Sequence, residues 1–194
     1  YEMFFEDAKD ASRLLGLTLT SRNHGKTSGE VPLAGIPHHA MEGYVARLVG
    51  MGRKVAICEQ VEDPKKAKGI VKRDVVEVIS PGTALADSML DGQRNNFTAA
   101  ICVDAKVAGI ALVDLSTGDF SVDEVERSLL VDEIERMAPA ELLLPAGDDD
   151  TLRLDLTTVL PGVAVSYVES WNFEYNSARE LLLEQLNVHS LKGF

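Results

Sequence analysis

The sequence predicts a mixed α/β fold in two domains, and three observations carry that prediction. Some segments repeat apolar residues at the 3.6 spacing of a helix, while others alternate at the period of a strand. The polar stretch Asp87–Asn96 separates two such regions, giving expected domains at residues 1–90 and 91–194. At 194 residues, with 45% hydrophobic and 26% charged side chains, the chain can bury a core in each.

In the first region Met3, Phe4, Ala8, Ala11, Leu14 and Leu15 recur at helical spacing, which predicts a helix over Glu2–Leu15 stopped by Gly16. Leu17–Thr20 alternates like a strand, and Arg22–Glu30 reads as a polar, glycine-bearing loop. Leu33–Pro37 reads as a short apolar turn, Met41–Met51 as a second helix ended by Gly52, and Lys54–Gln60 as a strand. Asp63-Pro64 opens a short helical stretch, and Asp74–Ile79 is a strand ended by Pro81-Gly82. Together these predict helices around one sheet.

The second region begins with three closely spaced strand patterns at Phe97–Val103, Gly109–Leu115 and Asp119–Val122. Helix (Glu124–Met137), strand (Glu141–Leu144), helix (Asp148–Thr158), strand (Val163–Tyr167) and helix (Asn176–Leu186) follow. An antiparallel meander leading into alternating helices and strands is the order of an RNase H-like α/β fold.

Composition narrows the function classes. No apolar run approaches the roughly 18 to 20 residues that span a bilayer, and the opening residues lack a basic region ahead of an apolar stretch, so a cytoplasmic protein with no membrane partner is expected. Opening on Tyr1 within a helical pattern suggests a piece of a longer protein. Cys58 and Cys102 each lie in an apolar run with no second ligand residue beside them, which predicts core thiols. The formal net charge of -12 argues against a polyanion partner, but it is unevenly distributed. Residues 1–92 hold 12 Lys+Arg against 13 Asp+Glu, and residues 93–194 hold 7 against 18. Only the first region suits a nucleic acid; the second suits a protein partner.

No reaction centre assembles from the motifs. Gly25-Lys26-Thr27 resembles the end of a phosphate-binding loop, but Thr20 stands where that pattern needs its first glycine. Metal-dependent nuclease chemistry on an RNase H-like domain needs converging carboxylates. Asp104, Asp114, Asp119 and Glu141 are the candidates, yet the first strand, Phe97–Val103, contains no acid; Asp104 and Asp119 fall at strand ends or in turns that suit solvated carboxylates, and Asp114 flanks a turn. Asp148-Asp149-Asp150 is explained by favourable charge at a helix start. His38 and His39 are adjacent, and on a strand they would point to opposite faces. Tyr44 and Phe4 fit core positions on helices better than base-stacking platforms.

Four blocks carry more. Tyr1-Glu2-Met3-Phe4-Phe5-Glu6-Asp7-Ala8, Leu33-Ala34-Gly35-Ile36-Pro37-His38-His39-Ala40, Val55-Ala56-Ile57-Cys58-Glu59-Gln60 and Ser80-Pro81-Gly82-Thr83 resemble, in order and spacing, the bacterial MutS family of DNA mismatch-recognition proteins. The remainder is similar to that family's connector domain, best at Asp114-Leu115-Ser116-Thr117-Gly118 and Pro139-Ala140-Glu141-Leu142-Leu143.

The resemblance implies a mismatch-reading α/β domain followed by an RNase H-like connector. It places Tyr1 and Glu2 in a Phe-x-Glu motif whose Phe would precede Tyr1. That ring stacks beside the mispaired base while Glu2 hydrogen-bonds its edge and the duplex kinks. A mispaired step is cheaper to unstack and bend, so deformability is what is read. The resemblance further implies that Arg22 contacts a phosphate and that Leu33 packs in the groove. It implies mismatched double-stranded DNA as partner, MutL contact through the connector, and homodimerisation of the parent through regions not in this sequence. No cofactor is expected here, ATP and Mg belonging to the parent's ATPase region. A metal-dependent nuclease and a purely protein-binding module are the alternatives.

Overall fold

In the computed structural model of the chain, residues 1–23, 30–63, 69–86, 89–90, 95–147 and 150–193 are described. The expectations for Gly25-Lys26-Thr27, for a helical stretch after Asp63 and for Asp148-Asp149 fall outside them. The chain divides into two compact units, Tyr1–Arg94 and Asn95–Phe194.

The first unit contains β1 (Glu2–Phe4), α1 (Phe5–Leu15), β2 (Thr20–Asn23), β3 (Glu30–Gly35), α2 (Met41–Gly50), β4 (Val55–Gln60) and β5 (Arg73–Ile79). Its opening differs from expectation. Glu2, Met3 and Phe4 belong to a strand, because they pair antiparallel with Gly35, Ala34 and Leu33 of β3. The helix therefore starts only at Phe5, whose φ of 53° marks the abrupt change from extended to helical backbone. It ends as expected at Gly16, in the left-handed conformation that glycine adopts without a Cβ clash. Ala8, Ala11 and Leu15 form its buried stripe.

Two further corrections concern neighbouring segments. The strand expected at Leu17–Thr20 begins only at Thr20 and takes in Arg22, a position expected in a loop. Leu33 lies within β3 rather than in a turn, paired with Phe4 on one side and Thr20 on the other. The described strands of this unit form two sheets, not one: β1-β3-β2, and a β4-β5 ribbon. Val45 and Val49 of α2 pack with Ala84 in a small core of their own. β5 stops where Ser80 and Thr83 form a reciprocal capping box around Pro81-Gly82.

The second unit has a five-stranded sheet in the order β10-β9-β6-β7-β8. β6 (Phe97–Val103), β7 (Val107–Asp114) and β8 (Asp119–Glu126) are the antiparallel meander, and β9 (Glu141–Pro145) and β10 (Ala164–Val168) add in parallel beside β6. α3 (Leu130–Met137), α4 (Asp150–Val159) and α5 (Tyr175–Gln185) complete it. This is the RNase H-like order. β8 continues through Glu126, so the helix expected from Glu124 starts only at Leu130. The acids Asp123, Glu124 and Glu126 sit on an edge strand, where solvent-exposed charge blocks unwanted pairing.

The core of this unit lies on one sheet face. Ala99, Ile101, Ile110, Leu112, Leu142 and Leu144 from the strands meet Leu130, Ile134, Leu152 and Leu156 from α3 and α4. Ile101 is fully buried. Ile101→Val removes one methylene there, and a loss of about 1 kcal/mol in urea unfolding is expected. Both cysteines depart from the expected core placement: Cys58 and Cys102 are exposed. Each follows a buried isoleucine, Ile57 or Ile101, so strand alternation turns the sulfur to the opposite face.

Candidate nucleic-acid interface

Register decides which side chains of the β1-β3-β2 sheet share a face. Glu2 lies opposite Gly35, Phe4 and Thr20 flank Leu33, and Arg22 lies opposite Val31. Gly35, Leu33 and Val31 are two residues apart along β3, so all of these positions project to the same side. Ala34, between Leu33 and Gly35, turns the other way and is buried. The common face is open: Glu2, Thr20, Arg22 and Gly35 are exposed, and Val31, Leu33 and Phe4 half-buried.

Three of the four residues singled out from the sequence, Glu2, Arg22 and Leu33, thus meet on one surface. An Arg22 Nη1 lies 3.5 Å from a Glu2 carboxylate oxygen, and with side-chain exposures of 59% and 50% the pair remains in contact with solvent. Because β3 runs between β1 and β2, this ion pair bridges the outer strands across the middle one. The Thr20 hydroxyl donates to the Leu33 carbonyl at 3.0 Å and ties β2 to the same strand.

Tyr1 is engaged differently. Its nitrogen donates to the Ile36 carbonyl at 2.9 Å and the Ile36 N–H returns a bond to the Tyr1 carbonyl, continuing the β1–β3 ladder by one pair. The ring stacks on His38 with centroids 5.5 Å apart, and the hydroxyl donates to the Glu59 carboxylate on β4. That hydrogen bond, with burial and the Glu59 charge adding, pushes the phenol above its usual pKa. A Cβ at Gly35 would sit 3.4 Å from the Tyr1 carbonyl, so the glycine keeps the surface beside Glu2 low.

Phe4 and Gly35 are members of this face that the sequence reading did not place there. The signal for Phe4 was present as the alternation Glu2, Phe4, but helical spacing with Ala8 and Ala11 masked it. Tyr44 is half-buried with the Arg47 guanidinium 5.9 Å from its ring centroid, and His38 lies in a 3-10 turn rather than on a strand.

The carboxylates of the second unit do not converge. Asp114, at the end of β7, accepts from the Ser116 hydroxyl at 2.6 Å and from the Ser116 and Asn96 N–H groups at 2.9 and 2.8 Å. Glu141 accepts from the Ser166 hydroxyl at 2.6 Å. Asp119 pairs opposite Asp114, while Asp104 lies beyond the other end of β6, about 20 Å away at strand rise. Among the described residues no group of three or more His, Cys, Asp or Glu could hold a metal ion. A groove of about 400 Å³ beside β8 and α3 brings Ser121, Asp123 and Arg136 near Phe97 and Met137, without a nucleophile and base in register.

An open sheet face bearing a carboxylate, a guanidinium and apolar side chains stands in one unit, and an RNase H-like sheet of dispersed acids in the other. Residues 1–88 match MutS domain I, and residues 96–194 match MutS domain II. The chain belongs to the MutS family. Its relatives include the DNA mismatch repair protein MutS of Chlorobium phaeobacteroides, 41% identical over 198 residues, and that of Symbiobacterium thermophilum, 44% identical over 198. Each alignment covers all of this chain and 23% of the relative. The MutS protein of Desulforapulum autotrophicum is 45% identical over 202 residues, again across the whole chain and 22% of the relative. The chain thus spans under a quarter of the length of these curated relatives. Among the described residues, no helix is long and apolar enough to cross a membrane.

Proposed function

We propose that this chain supplies the mismatch-reading surface and the connector of a bacterial DNA mismatch repair protein. The surface is the open face of β1-β3-β2. Glu2 hydrogen-bonds the edge of a mispaired or looped-out base, Leu33 and Phe4 lie against the groove, Arg22 reaches a phosphate, and Tyr1 fixes the start of β1. The observation that carries this reading is the convergence of Glu2, Arg22 and Leu33 on one exposed face, from positions 11 to 31 residues apart in the chain.

A carboxylate on a DNA-facing surface is unfavourable against phosphates, so Glu2 is useful only where a base edge offers a donor. A base pair that is already weakened supplies such an edge when the duplex bends, at a cost lower than for a sound pair. The acidic second unit connects this surface to the rest of the protein and offers a face to MutL, consistent with 18 acids against 7 basic residues in positions 93–194. The chain itself carries out no catalysis and holds no cofactor, ATP and Mg belonging to the ATPase region of the parent, a homodimer of the cytoplasm.

The test is titration of the 194-residue chain with labelled duplexes, mismatched and fully paired, at increasing salt. With Arg22 as the described cation of the face, weak binding is expected. It falls about 3.5-fold for a fourfold rise in salt for each phosphate neutralised. Tight binding that ignores salt would overturn the reading, as would cleavage of an RNA–DNA hybrid in the presence of Mg²⁺ or Mn²⁺.

A further inference from the structure

We propose that Arg22 and Glu2 form an exchangeable ion pair through which Arg22 contributes to mismatch selectivity as well as affinity. This rests on the mismatch-recognition reading above. In the unbound chain the guanidinium neutralises Glu2 across β3. On a mispaired step, a base donor takes over the Glu2 carboxylate and Arg22 is released to a phosphate. On a fully paired duplex no base donor reaches Glu2, so Arg22 stays on the carboxylate and that phosphate contact is not made.

The geometry suits an exchange. The contact is one N–O approach of 3.5 Å between two half-exposed side chains, and among the described residues neither head group has a second hydrogen-bond partner. Exposed pairs of this kind are weak, whereas guanidinium bonds to phosphate are charge-assisted and can be bidentate. Breaking the first to make the second is therefore favourable, provided Glu2 is not left bare against the backbone. The condition is met only when a base satisfies Glu2, which is how a sequence-independent phosphate contact acquires discrimination.

An ordinary phosphate contact behaves differently, since its removal weakens all duplexes about equally. The experiment is Arg22→Gln in the intact natural protein carrying this sequence, with dissociation constants for mismatched and paired duplexes across a salt series. Alongside it stand Glu2→Gln and the double substitution. For Arg22→Gln alone, affinity for the mismatched duplex should fall about tenfold and that for the paired duplex by less than about threefold. The salt slope of the unsubstituted protein should be steeper on the mismatched duplex by about 0.9, and the difference should vanish in Arg22→Gln. Glu2→Gln releases Arg22 on either duplex, so adding Arg22→Gln to it should then weaken both equally. Equal losses on both duplexes from Arg22→Gln alone, or no loss on either, overturn the exchange while leaving mismatch recognition intact. Equal affinity of the unsubstituted protein for the two duplexes overturns the underlying reading as well.

Discussion

Glu2→Gln in the intact natural protein should raise affinity for fully paired DNA about tenfold while changing affinity for a mismatched duplex far less. The substitution removes one negative charge from an exposed position that the proposed reading turns toward phosphates, and it keeps an oxygen that can accept a hydrogen bond. On fully paired DNA it also frees Arg22 from the carboxylate for a phosphate, and the combined effect is on the order of 1 to 2 kcal/mol, or roughly tenfold. On mismatched DNA the same relief is offset, because an amide oxygen accepts from a base more weakly than a carboxylate does. Selectivity is thus expected to collapse by gain of unwanted binding rather than by loss of wanted binding. Competition of the two duplexes for the variant measures this directly. A parallel loss of affinity for both would mean that Glu2 acts only through the structure of β1.

The parts of this surface were legible to different degrees. Glu2 lies in a matching block and Arg22 was implied by the resemblance alone, but their meeting was not legible, because it depends on β3 lying between their strands. The same long-range pairing overturned the helix expected from Glu2. Met3 and Phe4 have the spacing of a helix with Ala8 and Ala11, and local periodicity cannot register that Leu33–Gly35, some 30 residues away, offers a strand to pair with. In the second unit Phe97–Val103 is apolar at every position but Thr98, and that run appeared as a strand at its expected limits. β8 was harder. Of its last four residues only Val125 packs against the core of that unit, and the acids beside it read as the opening of a helix. The cysteines show the converse error: an apolar run indicates a strand, but alternation decides which of its members are buried.

Asp114 shows how a residue's type can mislead about its surroundings, and it supplies the largest expected change in stability. It flanks a turn in the sequence, yet it is fully buried. Ser116, two residues on, gives it both its N–H and its hydroxyl, closing the β7–β8 connection, and the Asn96 N–H joins from the segment entering β6. The Ser116 hydroxyl bond is the main cause of a carboxyl pKa below the ordinary 3.8, with N–H groups of Asn96, Ser116 and Thr117 adding, while burial opposes it. Asp114→Ala leaves these donors without their acceptor, and a loss of about 2 to 4 kcal/mol is expected in urea unfolding at neutral pH. The pH dependence has a definite sign. A carboxyl whose folded pKa is depressed contributes its full stabilisation above the unfolded value of 3.8 and loses it as pH falls through the lower folded value. The gap between Asp114→Ala and the unsubstituted chain should therefore be widest above pH 4 and narrow as the solution is acidified below 3.8. A gap that stays constant down to full protonation would assign the loss to packing of the side chain rather than to its charge.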